Sequence, residues 1–212
     1  MSYDRSALLL VGYQNDYFSF EGRLNKIVDA SLRVNNVLEN TIKLIEGIKD
    51  TAIPIIHTPI CFSSDYAELS DPVGILKTVK EIKAFQEGMK GVETIPLIKQ
   101  YGDRVLELHG KQGLNAFNNT DLKSVLDDND IEHLVIVGVV TSVCIDSTGR
   151  FAHNLGYNVT ILRDCTAGRT VFEQDYYCDR IFPIYASVLC YEDFIKKLNS
   201  VTQRDHPSRV AI

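Results

Sequence analysis

Short runs of leucine or β-branched residues alternate along this chain with stretches in which apolar residues recur every three or four positions. Ala7 to Val11, ALLLV, ends at Gly12 and is followed at once by Gln14, Asn15 and Asp16, the pattern of a buried central strand opening into a polar loop. From Asp29 to Lys49 the positions Val34, Val37, Leu38, Ile42, Ile45 and Ile48 predict one long amphipathic helix. Ile53 to His57 then reads as a second strand and Val105 to Leu108 as a third. Between these two lies a long, Ser-, Asp- and Pro-containing loop from Thr58, a helix near Ile75 to Phe85 and a helical turn over Thr94 to Lys99. Loops of that length in compact domains often serve as lids.

The second half repeats the alternation more regularly. HGKQGLNAFNNTDL is loop, with Thr120 or Asp121 placed to cap a helix running through Leu126. LVIVGVV from Leu134 is a fourth strand, and from Thr141 onward Val143, Ser147, Phe151 and Leu155 fall on one helical face. Strands over Tyr157 to Leu162 and Ile184 to Leu189, with helices over Val171 to Phe182 and Glu192 to Leu198, complete the series. The expectation is a three-layer, doubly wound α/β fold with a mainly parallel sheet, one domain over residues 1–200, and a loosely held polar tail over 201–212. In such sheets ligands bind at the C-terminal edge of the strands, which directs attention to the residues just after each apolar run.

Composition narrows the function. A formal charge of −6 in 212 residues lacks the clustered cations that nucleic acids or anionic membranes require. No apolar stretch approaches the ~20 residues of a bilayer span. The cysteines, Cys61, Cys144, Cys165, Cys178 and Cys190, form no CxxC pair, and their odd number suits reduced thiols and a cytoplasmic setting. A glycine-rich phosphate loop is absent, as is the GxSxG elbow of serine hydrolases, so no nucleotide cofactor is expected. The remaining nucleophile candidate is Cys144. It falls in the first turn after a strand, where free backbone N–H groups stabilise an anion, and on position alone a reactive thiol and a buried packing residue are equal readings.

The residues around Cys144 carry a resemblance. GVVTSVCIDSTGRFAHNLGYNVTILRDCTA is similar to the G-x-x-T-x-x-C-V-x-S-T-x-R-x-A-x-x-x-G-Y-x-V-x-x-x-D core of the isochorismatase-like cysteine hydrolases, which include nicotinamidases and related amidases. GKQGLNAFNNTDL resembles their K-x-x-x-x-A-F-x-x-T-x-L segment, and LLLVGYQNDYF their opening L-L-x-x-D-x-Q-N-D-F. The matches keep their order over most of residues 7–190. The resemblance implies a Rossmann-like six-stranded sheet in the order 3-2-1-4-5-6 and a site built from an aspartate base, a lysine and a cysteine nucleophile. Cys144 matches the nucleophile and Lys111 the lysine, a residue that would otherwise be a solvated loop lysine. The oxyanion donors would be the backbone N–H groups of Cys144 and Val140, the latter reached through a cis peptide at Val139–Val140.

One departure bears on the chemistry. Where the family has its aspartate this chain has Gly12, which carries no proton, and the loss of a general base is worth ~10²–10⁴-fold in rate. Asp16 is the nearest carboxylate in sequence, at a position where the resemblance implies a structural role. Tyr13, Gln14, Phe18 and Phe117 are candidates to line a substrate pocket, although aromatics beside strand ends are usually core. The Asp-x-His of nicotinamidases is absent, His57 and Asp65 being all that region offers, so no catalytic metal is expected; Asp164 reads as a loop cap. The resemblance further implies a small-molecule substrate and a homo-oligomer, with Ile60, Phe62, Tyr66 and Leu69 as apolar loop residues that a partner could cover. Two functions remain: an impaired hydrolase of small amides or related carbonyl compounds, or a catalytically disabled relative that binds a small molecule or a protein.

Overall fold

The computed structural model describes residues 5–202, and the tail expected to be loosely held lies, from residue 203 on, outside the described residues. Six parallel strands form one sheet in the order β3-β2-β1-β4-β5-β6. They are β1 (Ser6–Val11), β2 (Ile55–Thr58), β3 (Val105–Glu107), β4 (His133–Val139), β5 (Asn158–Ala167) and β6 (Ser187–Leu189). The central pair is buried along its whole length, which is why its sequence is a continuous apolar run rather than an alternating one. Alternation reappears as the choice of layer: Ala7, Leu9 and Val11 face a core with Leu122, Leu126, Ile145 and Ala152, whereas Leu8 and Leu10 face Leu44, Ile45, Ile48 and Phe194.

The helices are α1 (Asn15–Phe18), α2 (Asn25–Val34), α3 (Val37–Ile48), α4 (Gly74–Glu81), α5 (Pro96–Lys99), α6 (Leu122–Asp128), α7 (Asp146–Asn154), α8 (Val171–Tyr176) and α9 (Tyr191–Thr202). The long helix expected over Asp29 to Lys49 is two, α2 and α3, broken where Asn36 takes a left-handed φ of 50° that helix interiors exclude. The helix expected to run to Phe182 leaves α-helical geometry after Tyr176, passing through a π turn at Tyr177–Ile181 and a 3₁₀ turn that contains Pro183. The last strand is accordingly shorter than its apolar run, because Ile184 belongs to that turn.

The face presented by α7 also differs from expectation. A π turn at Thr141–Ile145 precedes α7, with Val143 N–H and Ile145 N–H both donating to the Val140 carbonyl, at 2.9 and 3.2 Å. The wider turn rotates α7 about its axis, so Cys144, Ile145, Thr148 and Ala152 face inward while Phe151 and Leu155 reach the surface. Thr148 is tolerated there because its hydroxyl accepts the Ala116 N–H at 3.0 Å. The loop after β2 folds back on its own domain. Ile60, Phe62, Tyr66 and Leu69 are buried within the chain, so these side chains offer no surface to a partner.

His133 opens β4 fully packed, its Nε2 sharing a hydrogen with the Thr160 hydroxyl at 2.7 Å. Burial pushes its imidazole from 6.5 down to about 4. The unfolded chain therefore takes up a proton near pH 6.5 that the fold refuses, and stability present above that value is lost as pH falls toward 4. The urea midpoint is expected to drop between pH 7 and 4.5, and to drop less in His133→Gln, as read by far-UV circular dichroism at each pH.

Candidate active site

The C-terminal ends of β1 and β4 meet at two glycines. Gly138 has φ 119° and a Cβ there would run into the Val11 carbonyl; Gly12 has φ 76° and a Cβ there would lie 2.9 Å from the Val139 carbonyl. Both positions thus combine a left-handed backbone with close backbone approach, conditions that glycine meets without a steric penalty. The Val139–Val140 peptide that comes next is cis.

The polar cluster after β1 is used for construction. Gln14 is buried; its amide donates to the carbonyls of Ile60 (2.8 Å) and Val92 (2.6 Å) and its oxygen accepts the Ile60 N–H (2.9 Å). Asp16, also buried, accepts the Phe85 N–H at 2.6 Å and the Arg23 N–H at 3.2 Å, and its carboxylate lies where a Cβ on Gly91 would go. The structural role expected for Asp16 is thereby visible in its partners, one backbone amide on each oxygen. Asn15 ties the same loop to the Lys90 carbonyl. These bonds draw the segments after β1, β2 and α4 together.

Lys111 arrives from the other side. Its backbone pairs with Ile60 as a short extension of the sheet, and its carbonyl accepts the Cys61 N–H at 3.1 Å. The side chain turns inward and is 1% exposed, unlike a solvated loop lysine, with Nζ 2.7 Å from the Gly113 carbonyl and 3.6 Å from the Sγ of Cys144. Cys144 is itself 5% exposed, held in the π turn directly after the Val139–Val140 peptide. Among the described residues no carboxylate pairs with Lys111. Desolvating an unpaired ammonium costs several kcal/mol, so the sulfur is the group positioned to answer that charge. The chemistry open to such a pair is nucleophilic attack by sulfur beside a fixed cation.

Of the residues expected to line a pocket, none is simply presented to this pair. Tyr13 lies in the opposite core layer, its hydroxyl bonded to Thr41 at 2.7 Å. Phe18 stacks on Tyr13 at 4.9 Å between ring centroids and borders an outer groove with Leu32, Leu38, Ile42 and Leu97. Phe117 shares a core with Cys144 and packs against Phe151 and Tyr157. The Val140 carbonyl is taken up by the π turn. The residue that sequence reasoning passed over is Tyr17, whose ring would be 3.4 Å from a Cβ on Gly12 and whose phenol is pushed well up by burial, then by the sulfur of Cys144, then by Asp16. Its signal was the doubled aromatic in QNDYF, directly after the acidic residue.

His57 is fully buried, with Nδ1 3.5 Å from a Glu107 oxygen and 3.3 Å from the Thr94 hydroxyl, and burial holds its imidazole below the usual range. Glu107 is pulled down to about 2, chiefly by His57. Asp65 instead organises an exposed turn with Ser63 and Ala67. Among the described residues no group of His, Cys, Asp and Glu side chains is placed to hold a metal ion. Asp164 accepts the Tyr191 N–H at 3.0 Å and so caps α9.

A six-stranded parallel sheet in this order with flanking helices is the isochorismatase-like α/β fold. The isochorismatase domain matches residues 6–193, and the chain belongs to that family. It is 27% identical over 206 residues to the uncharacterized isochorismatase family protein YddQ of Bacillus subtilis (strain 168), covering 90% of this chain and 99% of that protein. It is 30% identical over 176 residues to the ureidoacrylate amidohydrolase RutB of Cronobacter sakazakii (strain ATCC BAA-894), covering 77% and 75% of the two chains. A cysteine hydrolase from Pseudomonas syringae pv. phaseolicola 1448A has the same fold, with a TM-score of 0.81 at 20% identity over 95% of each chain.

Backbone conformation at Gly12 yields a direct test. Gly12→Ala is expected to lose about 1–3 kcal/mol of stability, from a left-handed non-glycine residue pressed on the Val139 carbonyl. Gly113→Ala, where a Cβ meets open space, is expected to stay within about 1 kcal/mol of the parent. Urea unfolding of both variants checks the difference.

Proposed function

We propose that this chain is a cysteine hydrolase of small amides or related carbonyl compounds, with Cys144 as nucleophile and Lys111 as the cation that accompanies it. The observation that carries this reading is the buried Nζ of Lys111 at 3.6 Å from the Cys144 sulfur, with no carboxylate partner among the described residues. The sulfur adds to the carbonyl carbon, the C=O electrons move to oxygen, and collapse breaks the C–N bond; the proton lost from the thiol leaves on the amine nitrogen, and a thioester remains on Cys144. Water then releases the acid and returns the thiol. The nearby ammonium opposes the negative charge that builds on the adduct. The similarity to RutB, whose name describes ureidoacrylate hydrolysis, supports an amide or ureide as the bond cleaved.

Gly12 sets the limit on rate. It takes the place that the opening motif gives to aspartate, and Asp16 is already bound to backbone amides. A carboxylate base worth ~10²–10⁴-fold is thus missing from this mechanism. Restoring it by Gly12→Asp meets the same left-handed backbone and the same Val139 carbonyl, so that substitution reports strain along with chemistry.

The test uses a panel of small amides, ureides and activated esters with intact-protein mass spectrometry. The parent is expected to accumulate an acyl adduct that is absent in Cys144→Ala. Lys111→Met, which replaces the buried ammonium by an apolar chain of similar length, is expected to lower kcat/KM by about a hundredfold while leaving the unfolding midpoint unchanged or raised. Hydrolysis that survives Cys144→Ala overturns the reading. A folded parent that binds panel members without forming any adduct favours a binding module.

A further inference from the structure

Two adjacent residues of α8, Glu173 and Gln174, reach back to the turn that presents Cys144. The Thr141 hydroxyl donates to Oε1 of Gln174, and the Ser142 hydroxyl donates to a Glu173 carboxylate oxygen at 2.6 Å. Thr141 and Ser142 are the first two residues of the π turn. Gln174 is buried, and its Nε2 lies 2.9 Å from both the Arg163 carbonyl and the Thr166 hydroxyl and 3.3 Å from the sulfur of Cys178. The β5 contacts fall where that strand shifts register against β4 and Thr166 comes opposite Gly138. One side-chain amide thus joins the end of β5, the π turn at Tyr177–Ile181 and the turn of Cys144. Glu173 is held as well: its carboxylate accepts the Arg169 N–H at 3.1 Å and the Arg169 Nε–H at 2.7 Å, and its own N–H donates to the Thr170 hydroxyl at 3.0 Å.

The form of the turn decides where Cys144 sits. In an α-helix starting at Thr141 the Val140 carbonyl would accept the Cys144 N–H. Here it accepts the N–H groups of Val143 and Ile145, and that of Cys144 between them is passed over. In this wide geometry the Cys144 sulfur lies 3.6 Å from Nζ of Lys111. Turns of this kind are rare, and tightening this one to α geometry would rotate Cys144 about the helix axis and carry its sulfur away from Lys111. Thr141 and Ser142 stand where such tightening would begin, and both are tied by their side chains to α8. A buried hydroxyl bonded to an amide whose other groups are engaged has little freedom, because moving it leaves polar groups unsatisfied.

We propose that Gln174, with Glu173 beside it, is a positioning residue of the site: by holding Thr141 and Ser142 it keeps the turn wide and Cys144 set against Lys111. It acts through the turn, so its loss displaces the nucleophile without removing a group that binds substrate. In its catalytic meaning the proposal rests on the cysteine hydrolase reading, whereas the hold on Cys144 has a readout of its own in the reactivity of the thiol.

The experiment compares the parent with Thr141→Val, Thr141→Ser, Gln174→Met, Thr160→Val and Cys144→Ala on a p-nitrophenyl ester, with rates referred to the folded fraction from urea unfolding. Thr160→Val is the control: it removes another buried hydroxyl, the one bonded to His133 at 2.7 Å toward the N-terminal ends of β4 and β5. Thr141→Val and Gln174→Met are expected to lower kcat at least about tenfold with KM within about threefold of the parent, because a displaced nucleophile weakens the chemical step and not binding. Thr141→Ser keeps the hydroxyl and is expected to stay within about threefold of the parent kcat, and Thr160→Val to lose stability but not kcat. The same order is expected in the rate at which iodoacetamide alkylates Cys144, followed by peptide mass spectrometry, and that rate takes the place of kcat if the parent does not turn over the ester. The proposal is overturned if Thr141→Val keeps the parent rate, if Thr141→Ser falls as far as Thr141→Val, or if Thr160→Val loses as much. Should Gln174→Met not fold, the Thr141 pair decides alone. Ester hydrolysis that survives in Cys144→Ala overturns the cysteine hydrolase reading, and the alkylation rates then judge the hold on Cys144 by themselves.

Discussion

Two strand ends pressed against each other without side chains between them govern this molecule. Beyond Val11 and Gly138 the backbones of β1 and β4 come so near that glycine stands at both contact points. That approach sets where the chain leaves β4, and hence where the π turn presents Cys144. It also leaves the loop after β1 to be tied down by other means, which Gln14 and Asp16 supply through backbone amides and carbonyls contributed by three distant segments. Sheet edge and loop thus form one rigid floor, and Lys111 is lowered onto it.

Polar groups at that floor fall into two kinds. The buried amide of Gln14 and the carboxylate of Asp16 have their hydrogen bonds taken up by backbone, whereas the Nζ of Lys111 divides its bonds between the Gly113 carbonyl and the sulfur of Cys144. There the lysine Nζ lies 3.6 Å from the sulfur of Cys144. That difference in partners, backbone against a thiol, sets Asp16 apart from Lys111 more sharply than residue type does.

Much of this was legible in the chain. The strands showed as apolar runs, their alternation with amphipathic stretches gave the layered fold, and the motifs singled out Cys144 and Lys111, two residues that the structure brings together, because these signals depend on spacing that a sequence records directly. What was not legible depends on geometry between segments. Asn36 splits a helix whose apolar spacing continues across the break. A π turn adds part of a residue to the helical phase and so exchanges the inner face of α7 for one centred on Ile145 and Thr148. Apolar loop residues such as Phe62 look like an exposed surface until the loop is seen folded on its own core. Tyr17 was passed over for the same reason: that its ring lies beside Gly12 is a fact of three dimensions.

The way Asp16 is held carries a consequence for anyone ranking residues by mutational scanning. Its two oxygens bring the amides of Phe85 and Arg23 to one point, and a third segment at Gly91 closes over the carboxylate. An alanine there would empty this knot, and whatever activity the chain has would fall with it. In a chain whose other nearby acidic position is a glycine, such a result invites the label of catalytic base. The geometry gives it another meaning: the carboxylate is a clamp, and its removal would be read out first as loosening of the segments it holds together after β1 and α4.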